Sequence, residues 1–540
     1  MLSQFSSHLG TNYTPSELEK SRTRRPIEDN QRIDCEIKAL RQRPEALIHK
    51  REENAQFIEH HSPILAPIQG LPNEMLRTIF SHCLPCSTPF LADLYDDEEY
   101  MSAARAPMLL TFICQRWRQI ALDFPSLWER VPITVSPSAQ CPKDWDLAVQ
   151  NTTQLAELWF SRAQNQPVIL SISWKLPPAG CERFKEFMAS ISHYSSQWKE
   201  LRIGGCSRNS ALRNSILSLP SSSIPNLQYL EIPQIWETSR EMYNDKKNFL
   251  GGPSIRGFRY QGVYDDGWMK MPLQWSQLTD LHIASMKATD TSIRKILAEC
   301  PRLERCHICT SFALISDPYP SPRLLLPHLT LLHIHHIKSA VPPTGFFASL
   351  HLPSLEDLTL YTPFIRLFLP VLLGESLATL RRLTVWTSHY STATETMLET
   401  LALTTQLEFL EIGYLSNLYA PYTLLSDTFL AALTPRQDGD QSASPITSSG
   451  SKPQHTRLMD GPDSSSYLCP NLQAIKLRIG TGTIAEDVIF DFIKGRRERS
   501  TTLRSVGLIY ARYAKCGERE MQGVDVLGVK VNIKYRDRAK

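Results

Sequence analysis

The apolar positions of this chain follow two different periods along its length. Between residues 63 and 135, apolar residues recur every three or four positions, which is typical of amphipathic helices. From about residue 165 onward, a pattern of the form L-x-x-L-x-L recurs, and its alternating apolar positions are typical of a strand with one buried face. The pattern therefore predicts a small helical region followed by a long series of strands.

Eleven segments fit the L-x-x-L-x-L template, and they begin at residues 198, 227, 255, 278, 303, 329, 355, 380, 407, 472 and 503. From 278 to 407 the steps are 25, 26, 26, 25 and 27 residues, within the window of about 20–29 residues for leucine-rich repeats. Helix-like stretches lie between some segments, at 291–300, 395–404 and 485–495. This succession predicts an α/β solenoid, an irregular leucine-rich-repeat horseshoe with a parallel sheet, opened by an extra strand at 168–174.

The helical region contains two segments with helix signals. LPNEMLRTIF (71–80) carries Pro72 at the opening position of a helix and Glu74 in its first turn. Apolar residues follow on one face, namely Leu76, Ile79 and Phe80. In and just before ICQRWRQIALDFPSLWERV (113–131), a second apolar stripe comprises Phe112, Ile113, Trp117 and Ile120. Two short helices rarely form a sufficient core alone, so we expect them to dock on each other and on a partner.

Together these segments resemble an F-box, the module that binds the Skp adaptor of cullin-RING ubiquitin ligases. The resemblance implies adaptor contacts at Leu71, Pro72, Glu74, Leu76, Ile79, Phe80 and Trp117. The chain departs from the family at an acidic insertion, 86–106, which contains Asp93, Asp96, Asp97, Glu98 and Glu99. An alternative is a helical hairpin that caps the domain behind it and binds no adaptor.

These features predict four parts of the chain. Residues 1–30 are polar and are predicted to be disordered, 31–62 an amphipathic helix, and 63–135 a small all-α F-box-like domain. Residues 136–540 form the leucine-rich-repeat domain, in which the Gly-, Ser- and Pro-rich loop 436–466 is predicted to be disordered.

The helix predicted at 31–62 carries an interrupted heptad seam. Its apolar members are Ile33, Ile37, Leu40, Leu47 and Ile58, and its interruptions are Pro44, Arg51 and Asn54. This pattern is compatible with a coiled-coil dimer or with an amphipathic helix that packs on the F-box-like domain.

Composition narrows the class of protein. The 540 residues carry 58 basic and 55 acidic side chains, a net charge of +3, so no general field attracts nucleic acid or an anionic membrane. The N-terminus lacks the pattern of a secretory signal, and no apolar run approaches the length of about 20 residues needed to span a bilayer. We therefore expect a cytoplasmic and/or nuclear protein whose 12 cysteines are reduced.

Motifs for chemistry are few. We find no GxxxxGK[ST], GxSxG or HExxH motif, so we expect a non-catalytic protein without a cofactor. The pairs Cys83/Cys86 and Cys306/Cys309 have zinc-ligand spacing, but buried apolar cysteines explain them more simply. The basic run at 494–500 fits a helix C-terminus, and the alternative is a nuclear-import patch.

One row of polar residues is a candidate for contact with a target. The residue between the last two apolar positions of each template faces away from the core. In successive segments this position holds, among others, Arg202, Glu231, Arg259, His282, His307, His333 and Glu411. The histidines suggest a contact stripe sensitive to protonation near pH 6.5, a three-histidine metal site or ordinary exposed polar residues. The mixed charge suits a protein ligand better than a polyphosphate.

The division into a short F-box and a repeat array is similar to that of the F-box/leucine-rich-repeat proteins, which are abundant in mushroom-forming fungi. The stretch SPILAPIQGLPNEML (62–76) resembles that group most. The resemblance implies a substrate-recognition subunit of a Skp-cullin-F-box ubiquitin ligase, whose repeats bind an unidentified target protein. The alternative is a non-ligase repeat scaffold with a degenerate F-box.

Overall fold

A computed structural model of the protein describes a large part of the chain. The described residues are 6, 10–61, 67–84, 102–135, 142–174, 183–204, 219–233, 249–262, 267–285, 288–310, 323–336, 344–362, 378–387, 394–414, 427–435, 468–479, 484, 486–499, 501–511 and 521–536. Two predicted segments fall outside them, namely most of the acidic insertion 86–106 and all of the loop 436–466.

The chain divides into two compact units, Met1–Ile79 and Phe80–Lys540. The first unit contains helix α1 (Glu17–His61) and a 3-10 turn (Pro67–Gly70). Helix α2 (Asn73–His82) begins in the first unit and ends in the second. Its start confirms Pro72 as the residue that opens the helix, because the N–H of Leu76 donates to the carbonyl oxygen of Pro72 at 3.1 Å.

Helix α1 begins at Glu17, so residues 17–30 of the segment predicted to be disordered are helical, and the helix starts before the predicted residue 31. A capping box explains the earlier start. The backbone N–H of Ser16 donates to the Glu19 carboxylate at 2.9 Å, and the N–H of Glu19 donates to the Ser16 hydroxyl at 3.4 Å. A serine followed three residues later by a glutamate is a recognised start signal for a helix, and here it identifies the N-terminus that hydrophobic periodicity alone does not.

The predicted seam of α1 is open to solvent. Its apolar side chains are between 41% and 64% exposed, namely Ile33, Ile37, Leu40, Leu47 and Ile58. These side chains form no buried core in the described chain, and dimerisation through α1 stays a prediction.

The second unit contains further helices and the strands of the solenoid. The helices are α3 (Leu110–Ile113), α4 (Gln115–Leu122), α5 (Pro142–Ala163), α6 (Arg183–Ser192), α7 (Asp290–Glu299), α8 (Thr344–Ala348), α9 (Thr394–Leu403), α10 (Asp427–Leu433) and α11 (Glu486–Arg499). The strands are β1 (Arg130–Val135), β2 (Val168–Trp174), β3 (Trp198–Gly204), β4 (Tyr229–Pro233), β5 (Gly257–Gln261), β6 (Asp280–Ala284), β7 (Arg305–Thr310), β8 (Leu324–Leu325), β9 (Leu331–His336), β10 (Leu350–His351), β11 (Asp357–Tyr361), β12 (Arg382–Thr387), β13 (Phe409–Tyr414), β14 (Ala474–Ile479), β15 (Ser505–Ala511), β16 (Met521–Val526) and β17 (Val529–Arg536).

In the described residues, the main sheet has 15 strands in the order β1-β2-β3-β4-β5-β6-β7-β9-β11-β12-β13-β14-β15-β17-β16. Neighbouring strands are parallel except β16 and β17, an antiparallel pair at the C-terminal edge. The short strands β8 and β10 form a separate pair. This order, with helices between several pairs of successive strands, confirms the predicted α/β solenoid.

Every template segment contributes a strand to the sheet, and the extra strand predicted at 168–174 is β2. The template's apolar residues form the core, as at Leu278, Leu281 and Ile283, which are 1–3% exposed. Strand β1 lies inside the segment predicted as F-box-like (63–135), because Arg130 pairs with Ile169 of β2. The solenoid sheet therefore begins before the predicted boundary at 135.

A ladder of side-chain hydrogen bonds joins successive repeats just before their strands. In each case the polar residue directly before the first apolar template position donates to a carbonyl oxygen of the preceding repeat. The bonds run from Asn226 to Ser196 (2.7 Å), Ser254 to Pro225 (2.7 Å), Ser354 to Pro327 (2.7 Å), Asn471 to Thr405 (3.1 Å) and Thr502 to Pro470 (3.3 Å). They satisfy carbonyl groups that the backbone ladder does not reach.

Candidate protein-interaction surfaces

The F-box-like residues divide into buried and accessible positions. Leu76 and Phe80 are both 0% exposed, so a partner cannot reach these two predicted adaptor contacts without a rearrangement. The Phe80 ring packs on Trp117, with 4.9 Å between the ring centroids. The other predicted contacts are accessible: Pro72 and Glu74 are exposed, and Leu71, Ile79 and Trp117 are half-buried. Their contact with an adaptor stays a prediction.

A break at Cys114 separates α3 from α4. Cys114 is extended (φ −157°, ψ 168°), and its sulfur accepts a hydrogen bond of 3.5 Å from the N–H of Trp117, which caps α4. The sequence predicts one continuous stripe through Phe112, Ile113 and Trp117, but the break turns α3 away from that stripe. Cysteine is not among the usual N-cap residues, so the sequence alone does not predict that a new helix starts after Cys114.

The break leaves an apolar surface that the sequence does not predict. We use "α3 patch" for Leu109, Phe112 and Ile113, which are 38%, 58% and 53% exposed. Three large exposed apolar side chains within five residues are unusual on a soluble surface and mark a candidate site of protein contact.

The second half of the F-box-like region is held rigidly against helix α5. Trp128 is fully buried, and its indole N–H donates to the carbonyl oxygen of Ala121 at 2.8 Å. Its ring meets the edge of Trp159 at 5.0 Å between centroids, and the Arg162 guanidinium lies 4.3 Å from the ring centroid. These contacts pack the end of α4 and the following turn against α5.

The open face of the sheet carries the candidate target-facing residues. The strand register aligns them in one line across successive strands, which we name the central row: Arg202, Glu231, Arg259, His282, His307, His333, Thr359, Thr384, Glu411 and Lys476. All seven residues singled out from the sequence lie in this row. Their role in binding stays a prediction.

The three histidines of the central row contact one another. The His282 and His307 rings stack at 5.4 Å, and His307 meets His333 edge-on at 4.3 Å between centroids. Burial lowers the pKa of His282 to about 3 and that of His307 to about 2. Both rings are therefore neutral at physiological pH, and the predicted sensitivity to protonation near pH 6.5 does not apply to them.

Within the described part of the chain, no three His, Cys, Asp or Glu side chains are placed to hold a metal ion. Cys306 is fully buried in the core, Cys309 is half-buried and Cys83 is exposed. Cys86 lies outside the described residues. The metal site considered at the three histidines is therefore not formed in this geometry.

Ion pairs neutralise the N-terminal part of this face. Glu231 is 5% exposed, with its carboxylate 3.4 Å from Arg259 and accepting a hydrogen bond of 3.2 Å from Gln261. Arg202 pairs with Glu200 at 2.8 Å. Acidic and basic side chains are thus matched at this end of the sheet.

A second row of the open face, two residues further along each strand, is aromatic. We name it the aromatic row: His335, Tyr361 and Trp386, with Arg478 at its end. The centroids of His335 and Tyr361 lie 5.1 Å apart, and Tyr361 and Trp386 stack at 5.4 Å with 17° between their planes. Arg478 lies 4.2 Å from the Trp386 ring centroid. Strand alternation predicts His335 as a second outward residue of its strand, whereas the template position alone does not identify Tyr361, Trp386 and Arg478.

Comparisons with known proteins find only distant similarity to solved structures. No protein-family model matches the chain, and no curated protein matches it. Among solved structures, a chain of the yeast Rad7–Elc1 complex is 13% identical over 69% of this chain and 92% of that chain, with a TM-score of 0.34. A protein of Bacteroides fragilis is 14% identical over 65% of this chain and 81% of its own, with a TM-score of 0.26.

None of the helices in the described ranges combines the length and the apolar character needed to cross a membrane.

Proposed function

We propose that this protein is a non-catalytic substrate-recognition subunit of a Skp-cullin-F-box type ubiquitin ligase, working in the cytoplasm or the nucleus. The α3 patch binds the Skp-type adaptor, and the open face of the repeats binds the target protein. The observation that carries the proposal is the exposure of Phe112 and Ile113 directly before an F-box-like Cys-Gln-Arg-Trp sequence.

Ubiquitin transfer in this proposal depends on proximity. Holding a target in a fixed position relative to a reactive group makes a bimolecular step effectively intramolecular. The packing of Trp128 on Trp159 and Arg162 supports this role, because it holds the end of α4 against α5 beside the first strands.

A second function, a repeat scaffold that binds its partner without a ligase, has one observation in its favour. Leu76 and Phe80, two positions that match the family's adaptor contacts, are fully buried. A degenerate F-box that serves only as a cap for the solenoid would show this burial.

Co-elution separates the two functions. The whole chain is mixed with a purified Skp-type adaptor and passed over a size-exclusion column. The ligase proposal predicts a 1:1 complex, whereas the scaffold function predicts separate elution of the two proteins. Separate elution, with the chain shown to be folded by circular dichroism, would overturn the ligase proposal.

A further inference from the structure

We propose that the open face around Lys476 and Arg478 anchors an acidic side chain, Asp or Glu, in an extended segment of the bound target protein. We name this place the acidic-residue anchor, formed by Lys476, Arg478, Glu411 and Trp386. The inference rests on the proposed function, since it assigns a chemistry to the target that the repeats present.

The anchor has more positive than negative charge. Glu411 on β13 is 8% exposed and lies 3.2 Å from the Lys476 ammonium and 3.3 Å from the Arg478 guanidinium, both on β14. One carboxylate balances only one of these two cations. The described outward positions on the next two parallel strands carry no acid, as they are Ser505, Gly507, Ile509, Lys530 and Asn532. A partner that brings one carboxylate would complete the charge balance.

The guanidinium is held in place before a partner arrives. Arg478 reaches back across β13 to lie on Trp386, which stacks on Tyr361. Gly413 lies opposite Trp386 on β13, the strand that Arg478 crosses. Its missing side chain leaves space for this contact, because a Cβ atom there would lie 3.1 Å from the Trp386 ring. A side chain already fixed loses little conformational entropy on binding. Among the described contacts, Arg478 makes no hydrogen bond that would occupy its remaining N–H groups.

The chemistry of the anchor suits a carboxylate in a protein chain. A guanidinium presents its donors in a fork that matches a carboxylate, and the neighbouring ammonium adds a second donor group. Half-buried Tyr361 offers an apolar edge beside this charge for the adjoining residue of the target. A polyphosphate is a poorer fit, because its successive charges would meet Glu411 and Asp357 on the same face.

The test uses the whole chain and fluorescence anisotropy. The probe is a fluorescein-labelled random copolymer of glutamate and tyrosine, and the charge control is the matching copolymer of lysine and tyrosine. Lys476→Ala with Arg478→Ala is expected to weaken binding of the glutamate copolymer by at least about tenfold. The matched control, Arg381→Ala with Arg504→Ala, removes the same charge from exposed residues just before β12 and β15 and is expected to bind like the wild type.

A second variant guards against misfolding. Glu411→Gln removes the internal carboxylate and leaves both cations, so it is expected to tighten binding of the glutamate copolymer by about threefold or more. A folding defect can only weaken binding, so this variant decides the question if the double variant does not fold. Equal binding of the two copolymers, or equal binding by the double variant and its control, would overturn the inference. Tight binding of labelled single-stranded DNA that depends on Lys476 and Arg478 would replace it with a general site for polyanions.

Failure of this inference is distinguishable from failure of the proposed function. If the chain co-elutes with the adaptor but does not bind the glutamate copolymer, only the anchor is wrong. If it binds the copolymer through Lys476 and Arg478 but does not co-elute with the adaptor, only the ligase function is wrong.

Discussion

The guanidinium of Arg496 donates a hydrogen bond of 2.7 Å to the backbone carbonyl oxygen of Cys469. It also donates to the carbonyl oxygens of Leu468, at 2.5 Å, and Leu433, at 3.0 Å. These acceptors lie on both sides of the segment 436–467, which is outside the described residues. A fully buried arginine therefore joins the two ends of the longest step between repeats.

This contact predicts a large effect of Arg496 on stability. Arg496→Ala removes the donor from the buried carbonyl oxygen of Leu433 and from the partly buried carbonyl oxygen of Leu468, whereas the Cys469 oxygen keeps its bond from the N–H of Leu472. A carbonyl group left without a donor costs about 1–3 kcal/mol, so we expect a loss of at least about 2 kcal/mol. Arg496→Lys should also destabilise, because an ammonium cannot reproduce the planar fork. Lys494→Ala, on the exposed side of the same helix, is the control and should stay within about 0.5 kcal/mol. Urea unfolding followed by circular dichroism measures these changes, and equal stability of the Arg496→Ala and Lys494→Ala variants would contradict the assignment.

The buried histidines predict a pH dependence of stability. Folding lowers the pKa of His282 to about 3 and of His307 to about 2, whereas unfolding restores a value of about 6.5. Below that pH the unfolded chain binds protons that the folded rings do not, so stability falls as the pH decreases. The effect is at most about 1.4 kcal/mol per pH unit for each ring.

We therefore expect His307→Gln to lose stability less steeply than the wild type between pH 6.5 and pH 5. Urea unfolding of both proteins across this range gives the two slopes. Since the carboxylates are common to both proteins, parallel curves would show that His307 is not buried as described.

Gly413 and Trp386 predict a coupled pair of substitutions. Gly413→Ala places a methyl group 3.1 Å from the Trp386 ring, and overpacking of this kind costs typically about 1–3 kcal/mol. In a Trp386→Leu background the same substitution should cost less than half as much, because the opposing ring is absent. Gly507→Ala is the control, since its new atom would lie 3.4 Å from the flexible Lys476 side chain. Equal costs of Gly413→Ala in both backgrounds, measured by thermal unfolding, would argue against this contact.

The strands were predictable because their signal is local and repeated. In LTDLHI (278–283), the spacing of Leu278, Leu281 and Ile283 determines both which face is buried and which residue of the next strand lies opposite. A shift of one residue would turn every apolar side chain to solvent. The same alternation predicts that His282 and Glu411 lie in one outward row, as the register shows.

Other features depend on contacts that no local pattern encodes. The run KGRRERS resembles a solvated helix end, but Arg496 in it is buried because acceptors 27 and 63 residues away converge on it. A nuclear-import patch needs exposed cations, and Arg496 is not available for one because it is buried. Likewise, the sulfur of Cys114 caps the start of α4 in a way that hydrophobic spacing does not reveal, and Phe112 just before this break is exposed. The sequence pattern alone therefore does not identify which apolar residues of the F-box-like region are exposed.

The central claim of this account is that the α3 patch binds a Skp-type adaptor, and isothermal titration of the whole chain with purified adaptor tests it most directly. Phe112→Asp with Ile113→Asp places charge on the patch, while Leu147→Asp with Leu158→Asp makes the same change at exposed positions on α5. We predict 1:1 binding by the wild type and by the α5 variant, and a loss of at least about 100-fold in the patch variant, as expected for central apolar contacts. Absence of binding by the wild type, or equal affinity of the patch and α5 variants, would contradict the claim.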